Sequence, residues 1–281
     1  MEQDQSRSEK PGHPPAQAML HELRTAENSA AHVLPTLQSM KASNPQVKLL
    51  DVGAGSGTIS VSFAQLIPDG HVTGVDLNAN ILPRARAVAE KAGVQNIDFQ
   101  QGDVSKPPFA DESFDMTFCH QVLIHIGKPW DALREMLRVT KRGGVVAARE
   151  GDYETECVWP ELPGLRKFHT LMAGAMSAGG GTPTAGRQLV SWALKAGGGS
   201  VERSQITLSY STSSYRTASE RQTCAQGLCD QLRGGSLRAK ALKFGLGTED
   251  ELEEMAKAWE EWAKRDDASL AMLHGEILVQ K

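Results

Sequence analysis

Lys48-Leu49-Leu50-Asp51-Val52-Gly53-Ala54-Gly55-Ser56-Gly57-Thr58 reads as a strand, a glycine turn and a helix start in immediate succession. Leu49 and Leu50 close a short apolar run of the buried-strand kind, and three glycines follow at every second position. Ile59, Val61, Ser62, Phe63, Leu66 and Ile67 then fall on a helical pattern. An open parallel sheet builds a cofactor site this way. The glycines let the chain turn sharply and let a ligand approach where a Cβ atom would stand. The helix that starts there offers N–H groups to whatever lies against the turn.

His71-Val72-Thr73-Gly74-Val75-Asp76 forms a second strand ending in a carboxylate, at roughly the 20-residue spacing from the turn at which an acid grips ribose hydroxyls. Together the two features indicate an adenosine-containing ligand. They do not indicate a phosphate: the turn lacks G-x-G-x-x-G, and Asp51 just before it would repel a pyrophosphate. A carboxylate there suits a cationic ligand.

At these residues the sequence resembles the class I S-adenosylmethionine (SAM)-dependent methyltransferases, whose first motif has this form. The resemblance implies SAM as cofactor, with Asp51, Gly53, Ala54 and Gly55 in the turn and Asp76 and Leu77 at the ribose. It also implies an acid on the adenine amino group and an apolar neighbour on the ring, which Asp103 and Val104 match. Lys106 to Asp115 and Leu133 to Gly144 resemble the branch containing the ubiquinone/menaquinone C-methyltransferases. Arg142 stands where that pattern has proline, which should loosen the turn before the fifth strand slightly. The resemblance is specific from Leu49 to Glu150 and looser beyond.

The 281 residues suffice for one large domain or a domain with a sizeable insertion, and 40% of them are hydrophobic. A formal charge of −4 gives no pull toward nucleic acid or an anionic membrane. No run approaches the roughly 18 apolar residues of a membrane span. Residues 1–15 are polar, with Pro11, Pro14 and Pro15, and read as a disordered tail rather than a signal peptide. Cys119, Cys157, Cys224 and Cys229 are scattered, which points to a reduced, cytoplasmic protein without zinc. Nothing in the pattern specifies an oligomeric state.

The remaining chain reads as a doubly wound α/β fold, a seven-stranded, mostly parallel sheet with a helical substrate-side insertion. Residues 16–45 form an N-terminal helical lid or lead-in, residues 46–150 the SAM-binding core. Residues 151–281 hold the remaining strands and the insertion. Helices are expected at Asn80–Ala92, Pro129–Val139, through Met176, at Thr184–Ala196, over Thr217–Phe244 and at Glu249–Lys264. Further strands are expected at Asn96–Gln101, Met116–Cys119 and Val145–Glu150, with a turn at Lys141–Gly144. Val201–Tyr210 reads as strand six and Gly275–Gln280 as an antiparallel strand seven.

Methyl transfer from a sulfonium is an in-line displacement, so alignment and exclusion of water carry much of it. A base helps when the acceptor must lose a proton, and histidine suits neutral pH. His120 falls just past strand four and reads as a cofactor-side contact; His125, on the same loop, reads as a substrate-side base. Glu150, Asp152 and Tyr153 end strand five and reach the cleft rim, where Asp152 can orient or deprotonate substrate or be a solvated turn acid. Thr25 or Arg24 can touch the methionine carboxylate, or Thr25 can simply cap a helix. Trp159, Met172, Met176 and Trp192 line an apolar pocket or are plain core, and His169 is surface or packing.

A nicotinamide oxidoreductase lacks support, because no tyrosine here has lysine four residues on. A nucleic-acid base methyltransferase lacks [ND]-P-P-[YF] after strand four and a basic, aromatic-laced stripe. A catalytically silent SAM-binding subunit is the remaining alternative to a SAM-dependent methyltransferase of a small, apolar or aromatic molecule.

Overall fold

Successive residues of a strand face opposite sides of a sheet, and the buried residues here divide accordingly. In the computed structural model, which describes residues 22–215 and 217–281, the lead-in comprises α1 (Ala26–Ser29) and α2 (Leu34–Ser43). The core follows as β1 (Lys48–Val52), α3 (Thr58–Leu66), β2 (His71–Asp76), α4 (Leu82–Lys91), β3 (Ile97–Gln101) and β4 (Phe114–His120). Next come α5 (Pro129–Val139), β5 (Thr140–Gly151), β6 (Cys157–Trp159), α6 (Pro163–Ala178) and α7 (Ala185–Gly197). The chain ends with β7 (Ile206–Ser214), α8 (Ala218–Arg233), α9 (Ser236–Lys243), α10 (Glu249–Lys264) and β8 (Ser269–Gln280). Leu49, Met116, Phe118, Val145 and Ala147 face α2 and α3. Their neighbours Leu50, Cys119, Val146 and Ala148 face α5 and α7. Helices therefore cover both faces of a sheet buried on both sides, which is why its central strands read as continuous apolar runs.

The strand order is β3-β2-β1-β4-β5-β8, with β7 on the far side of β8. β1 to β5 are parallel and β8 runs antiparallel to β5, β6 and β7. This is the expected doubly wound sheet with its antiparallel late strand. One strand was not foreseen: β6 pairs three residues of β8 beyond the end of β5, and three residues carry no periodicity to read.

Several boundaries are corrected. Strand six starts at Ile206 rather than Val201, because Arg203–Gln205 forms a 3₁₀ turn capped by Glu202 and Gln205. Strand seven starts at Ser269, six residues earlier than Gly275. The mostly helical stretch expected over Thr217–Phe244 consists of two helices separated at Gly234-Gly235. The turn at Lys141–Gly144 is absorbed into β5, with Gly143 at φ +76° and a register shift against β4. α5 and α10 have the expected bounds. Pro129 sits in the first turn of α5, and Thr248 and Glu251 close a capping box on α10. The disordered tail expected over residues 1–15, and the lead-in before residue 22, lie outside the described residues.

A second core lies among the late helices. Leu165 and Phe168 of α6, Cys229 and Leu232 of α8, and Trp259 and Trp262 of α10 bury one another. Trp259 meets Phe168 and Trp262 edge-on at ring-centroid distances of 5.2 and 5.3 Å. Gly151, at the end of β5, pairs with His274, so the first residues of β8 run past the carboxyl ends of the parallel strands. That overhang carries β6 and follows α10 directly, which sets this helical layer at the sheet's C-terminal edge. Of the four residues weighed as pocket or core, Met176 and Trp192 are buried in the sheet core and Met172 packs on the second core. Trp159 is 56% exposed. No helix among the described residues is long and apolar enough to cross a membrane.

Candidate functional site

The parallel register sets Gly53, Asp76, Asp103 and Gln121 just past the ends of four adjacent strands: Val52 lies beside Val75 and Cys119, and Asp76 beside Gln101. The glycine turn is held down by the Gly53 and Ala54 N–H groups, which both donate to the Val75 carbonyl at 2.7 and 2.9 Å. Gly53 has φ +74°, and a Cβ there would stand 2.3 Å from a methyl of Val122. Gly55 has φ +55° with nothing within 4 Å of where its Cβ would be. The turn is thus tight underneath and open above.

Asp76 faces this opening. Its Oδ2 accepts the Gly55 N–H and its Oδ1 the Asn78 N–H, each at 2.9 Å. Two backbone donors fix the carboxylate's orientation and leave further lone pairs for a ligand. Leu77 is half-buried beside it, its carbonyl accepting from Gln101. Asp103 closes an Asx turn on Ser105 through Oδ1 at 2.8 Å, and Val104 packs on the sheet core. Asp51 is 3% exposed and accepts the Ser60 hydroxyl at 2.5 Å. Burial pushes its pKa up to about 7, the nearby Asp76 charge adds to this, and the Ser60 bond opposes it. Thr25 caps α1, accepting the Asn28 N–H while Asn28 accepts the Thr25 N–H. The next residue, Ala26, donates to Ser62 of α3 at 3.0 Å, which seats the lead-in on the helix that follows the turn.

The three residues weighed for catalysis occupy different settings. His120 is 8% exposed, and its Nε2 accepts from Arg149 at 2.8 Å. Both oxygens of Asp152, itself 3% exposed, are taken by Arg187. His125 is exposed, at the end of the 3₁₀ turn Leu123–His125.

One arrangement escaped the sequence reading altogether, and so did the setting of one further residue. A polar row crosses the sheet, since His120 registers with Arg149 and Arg149 with Glu276. Arg149 donates to Glu276 at 3.2 Å, and Ser209 and Ser211 of β7 complete the carboxylate's bonding. The other feature is Glu150, fully buried, which accepts the N–H groups of Val122, Leu123 and Ile124 at 3.0, 2.8 and 3.2 Å. Burial pushes its pKa up to about 7 against the pull of those donors. Gln121, just before this turn, has φ +54°, a region a side chain other than glycine's seldom enters. Charged residues ending an apolar strand were the one available signal. His169, read as surface or packing, lies 3.7 Å from Glu156.

A family model described as a methyltransferase domain matches residues 43–177. A "Probable methyltransferase ltbC" of Aspergillus luteorubrus is 30% identical over 293 aligned positions, covering 99% of this chain and 98% of that one. An uncharacterized methyltransferase of Schizosaccharomyces pombe is 35% identical over 188 positions, but only 64% of either chain is covered. A ubiquinone/menaquinone biosynthesis C-methyltransferase of Bdellovibrio bacteriovorus is 37% identical over 103 positions, 37% of this chain and 43% of that one. Among solved structures, one from Bacillus halodurans C-125 described as a methyltransferase superposes with a TM-score of 0.53 at 21% identity, over 88% of this chain and 98% of that one. At that identity the likeness speaks for the fold alone.

Proposed function

Because the chain belongs to the class I SAM-dependent methyltransferases, we propose that it methylates a small apolar or aromatic molecule held between the sheet's C-terminal edge and the late helices. The observation that carries this reading is the convergence of three features on one opening. They are the uncovered Gly55, the Asp76 carboxylate and the buried Asp51 carboxylate. Such a donor set fits a cationic nucleoside and not a phosphate.

In this reading Asp76 and Leu77 hold the ribose, and Asp103 and Val104 hold the adenine edge and face. Asp51 with the Gly53-Ala54-Gly55 turn receives the cationic amino-acid end, and Thr25 stands at its rim. When bound, SAM supplies a methyl on a sulfonium for in-line displacement. The chain's own work is alignment and dryness: the lead-in seated on α3 and the helical layer over the edge are the parts that exclude water. His120, whose Nε2 is occupied by Arg149, serves as a fixed wall on the cofactor side. Asp152, ion-paired to Arg187, fixes the loop after β5.

We take His125 as the base because it is exposed on the turn after β4, at the sheet's C-terminal edge. His125→Ala is expected to lower turnover roughly tenfold or more, with SAM affinity within about twofold, because water can partly replace an exposed base. Equal turnover dismisses the role.

Asp51 makes donor binding pH-dependent. Its folded pKa of about 7 lies above the ordinary carboxylate value. The ligand-free protein therefore holds a proton there that a cationic ligand expels. Donor affinity should rise about tenfold between pH 6 and 8, following the ionised fraction. In Asp51→Asn that rise should vanish; titration calorimetry at the two pH values measures it. The same shift works against the ligand-free fold: this group's contribution to stability is present at low pH and is lost as pH rises toward 7.

Incubation with radiolabelled SAM and a metabolite extract, followed by identification of the labelled product, tests the function directly. Binding of SAM without any labelled product would return the reading to a silent SAM-binding subunit.

A further inference from the structure

Arg24 reaches from the lead-in into the cleft over β4 and β5, where its Nη2 donates to Gln121 Oε1 at 3.0 Å. Among the described residues it makes no ion pair, and every carboxylate near it is already engaged. Glu150 accepts three backbone N–H groups and Asp152 holds Arg187. Glu276 holds Arg149, Ser209 and Ser211, and Glu156 faces His169. The groups that feel the Arg24 charge include the phenols of Tyr153 and Tyr215, both half-buried. Burial holds both phenols protonated at neutral pH; Tyr153 is a hydrogen-bond donor, and Tyr215 is hydrogen-bonded to the Cys224 sulfur, a weak partner that a ligand oxygen can displace. Arg149 adds a second positive charge within electrostatic range. A guanidinium surrounded by protein, with no counterion among the described residues, is costly unless an anion arrives from outside.

The sheet order says which ligand that anion belongs to. Tyr153 follows β5 and Tyr215 follows β7, on the side of β4 away from the glycine turn and Asp76. The donor occupies the β1–β2 side, so Arg24 and the two phenols face the acceptor. We propose that the acceptor carries an anionic oxygen group of the carboxylate kind, received by Arg24 with the Tyr153 and Tyr215 hydroxyls donating to it. This rests on the methyltransferase reading above, and narrows its aromatic or apolar acceptor to an organic acid.

The test uses the full chain saturated with S-adenosylhomocysteine and titrated with benzoate and, in parallel, with benzamide. Benzoate is expected to bind at least tenfold more tightly than its neutral isostere. That preference should disappear in Arg24→Gln and shrink about threefold in the double variant Tyr153→Phe/Tyr215→Phe, while S-adenosylhomocysteine affinity stays within twofold. Arg24→Lys, keeping the charge, should retain part of the preference. Equal binding, or no binding, of the two probes to the unaltered protein overturns the proposal. A tenfold loss of S-adenosylhomocysteine affinity in Arg24→Gln also overturns it, by assigning the guanidinium to the donor's own carboxylate. Failure of the unaltered protein to bind S-adenosylhomocysteine at all sinks the earlier reading instead.

Discussion

Replacing Asp76 with alanine is expected to weaken S-adenosylhomocysteine binding about 100-fold, measured by titration calorimetry. Two ribose hydroxyls donating to one carboxylate form charge-assisted bonds, each contributing about 1.5 kcal/mol or more. Together these make roughly 3 kcal/mol, or about two powers of ten in affinity. Asp76 arrives already oriented, because the Gly55 and Asn78 N–H groups clamp its two oxygens. Part of the loss will therefore reflect a looser glycine turn. Asp76→Asn separates the two contributions, since an amide oxygen still serves one of those donors: its loss should be smaller, about tenfold. The carboxylate is half-exposed, so neither variant should unfold the protein. Unchanged affinity in the alanine variant would falsify the ribose assignment.

Asp76 could be found in the sequence because everything that defines its place is local. A strand that ends in an acid, a roughly fixed distance beyond a glycine turn, is a statement about neighbours along the chain. The same holds for α5 and α10, whose apolar stripes and caps lie within a few residues of each other. The polar row was illegible for the opposite reason. His120, Arg149, Glu276 and Ser209 become neighbours only through the register of four strands, and no single segment records that register. His32 shows the same limit: a polar residue in a lead-in reads as solvated, yet its ring nitrogens are buried without hydrogen-bond partners, 3.7 Å from Glu276. Its pKa is accordingly pushed down to about 4 by burial. The residues proposed for the cofactor lie on contiguous segments that a sequence can display, whereas the proposed acceptor side draws on the lead-in, the loop after β4, β7 and the late helices, which only the fold brings together. Tyr215 and Arg24 had no sequence signal that joined them.

Glu150 carries the largest expected effect on stability. Glu150→Ala leaves the N–H groups of Val122, Leu123 and Ile124 without their acceptor in a buried turn. Each orphaned donor costs about 1–3 kcal/mol, part of it recovered by relaxation. A total near 4 kcal/mol is expected, which for a chain of this size lowers the melting temperature by roughly 7 °C. The same turn carries His125 and follows the strained Gln121, so methyl transfer should fall with it. Glu150→Gln keeps one acceptor oxygen and should lose about half as much stability. The comparison of these two proteins also has a pH signature. Glu150's folded pKa, about 7, lies above its ordinary value, so the folded chain takes up a proton between about pH 4.5 and 7. Its carboxyl is therefore tolerated best at low pH, and its contribution to stability declines as pH rises through that window. The gap in melting temperature between the unaltered protein and Glu150→Gln should accordingly narrow from pH 5 to pH 7.5. A gap that widens would mean that the three donors outweigh burial and hold Glu150 ionised. An alanine variant melting within 2 °C of the unaltered protein would show that the turn after β4 does not depend on this carboxylate at all.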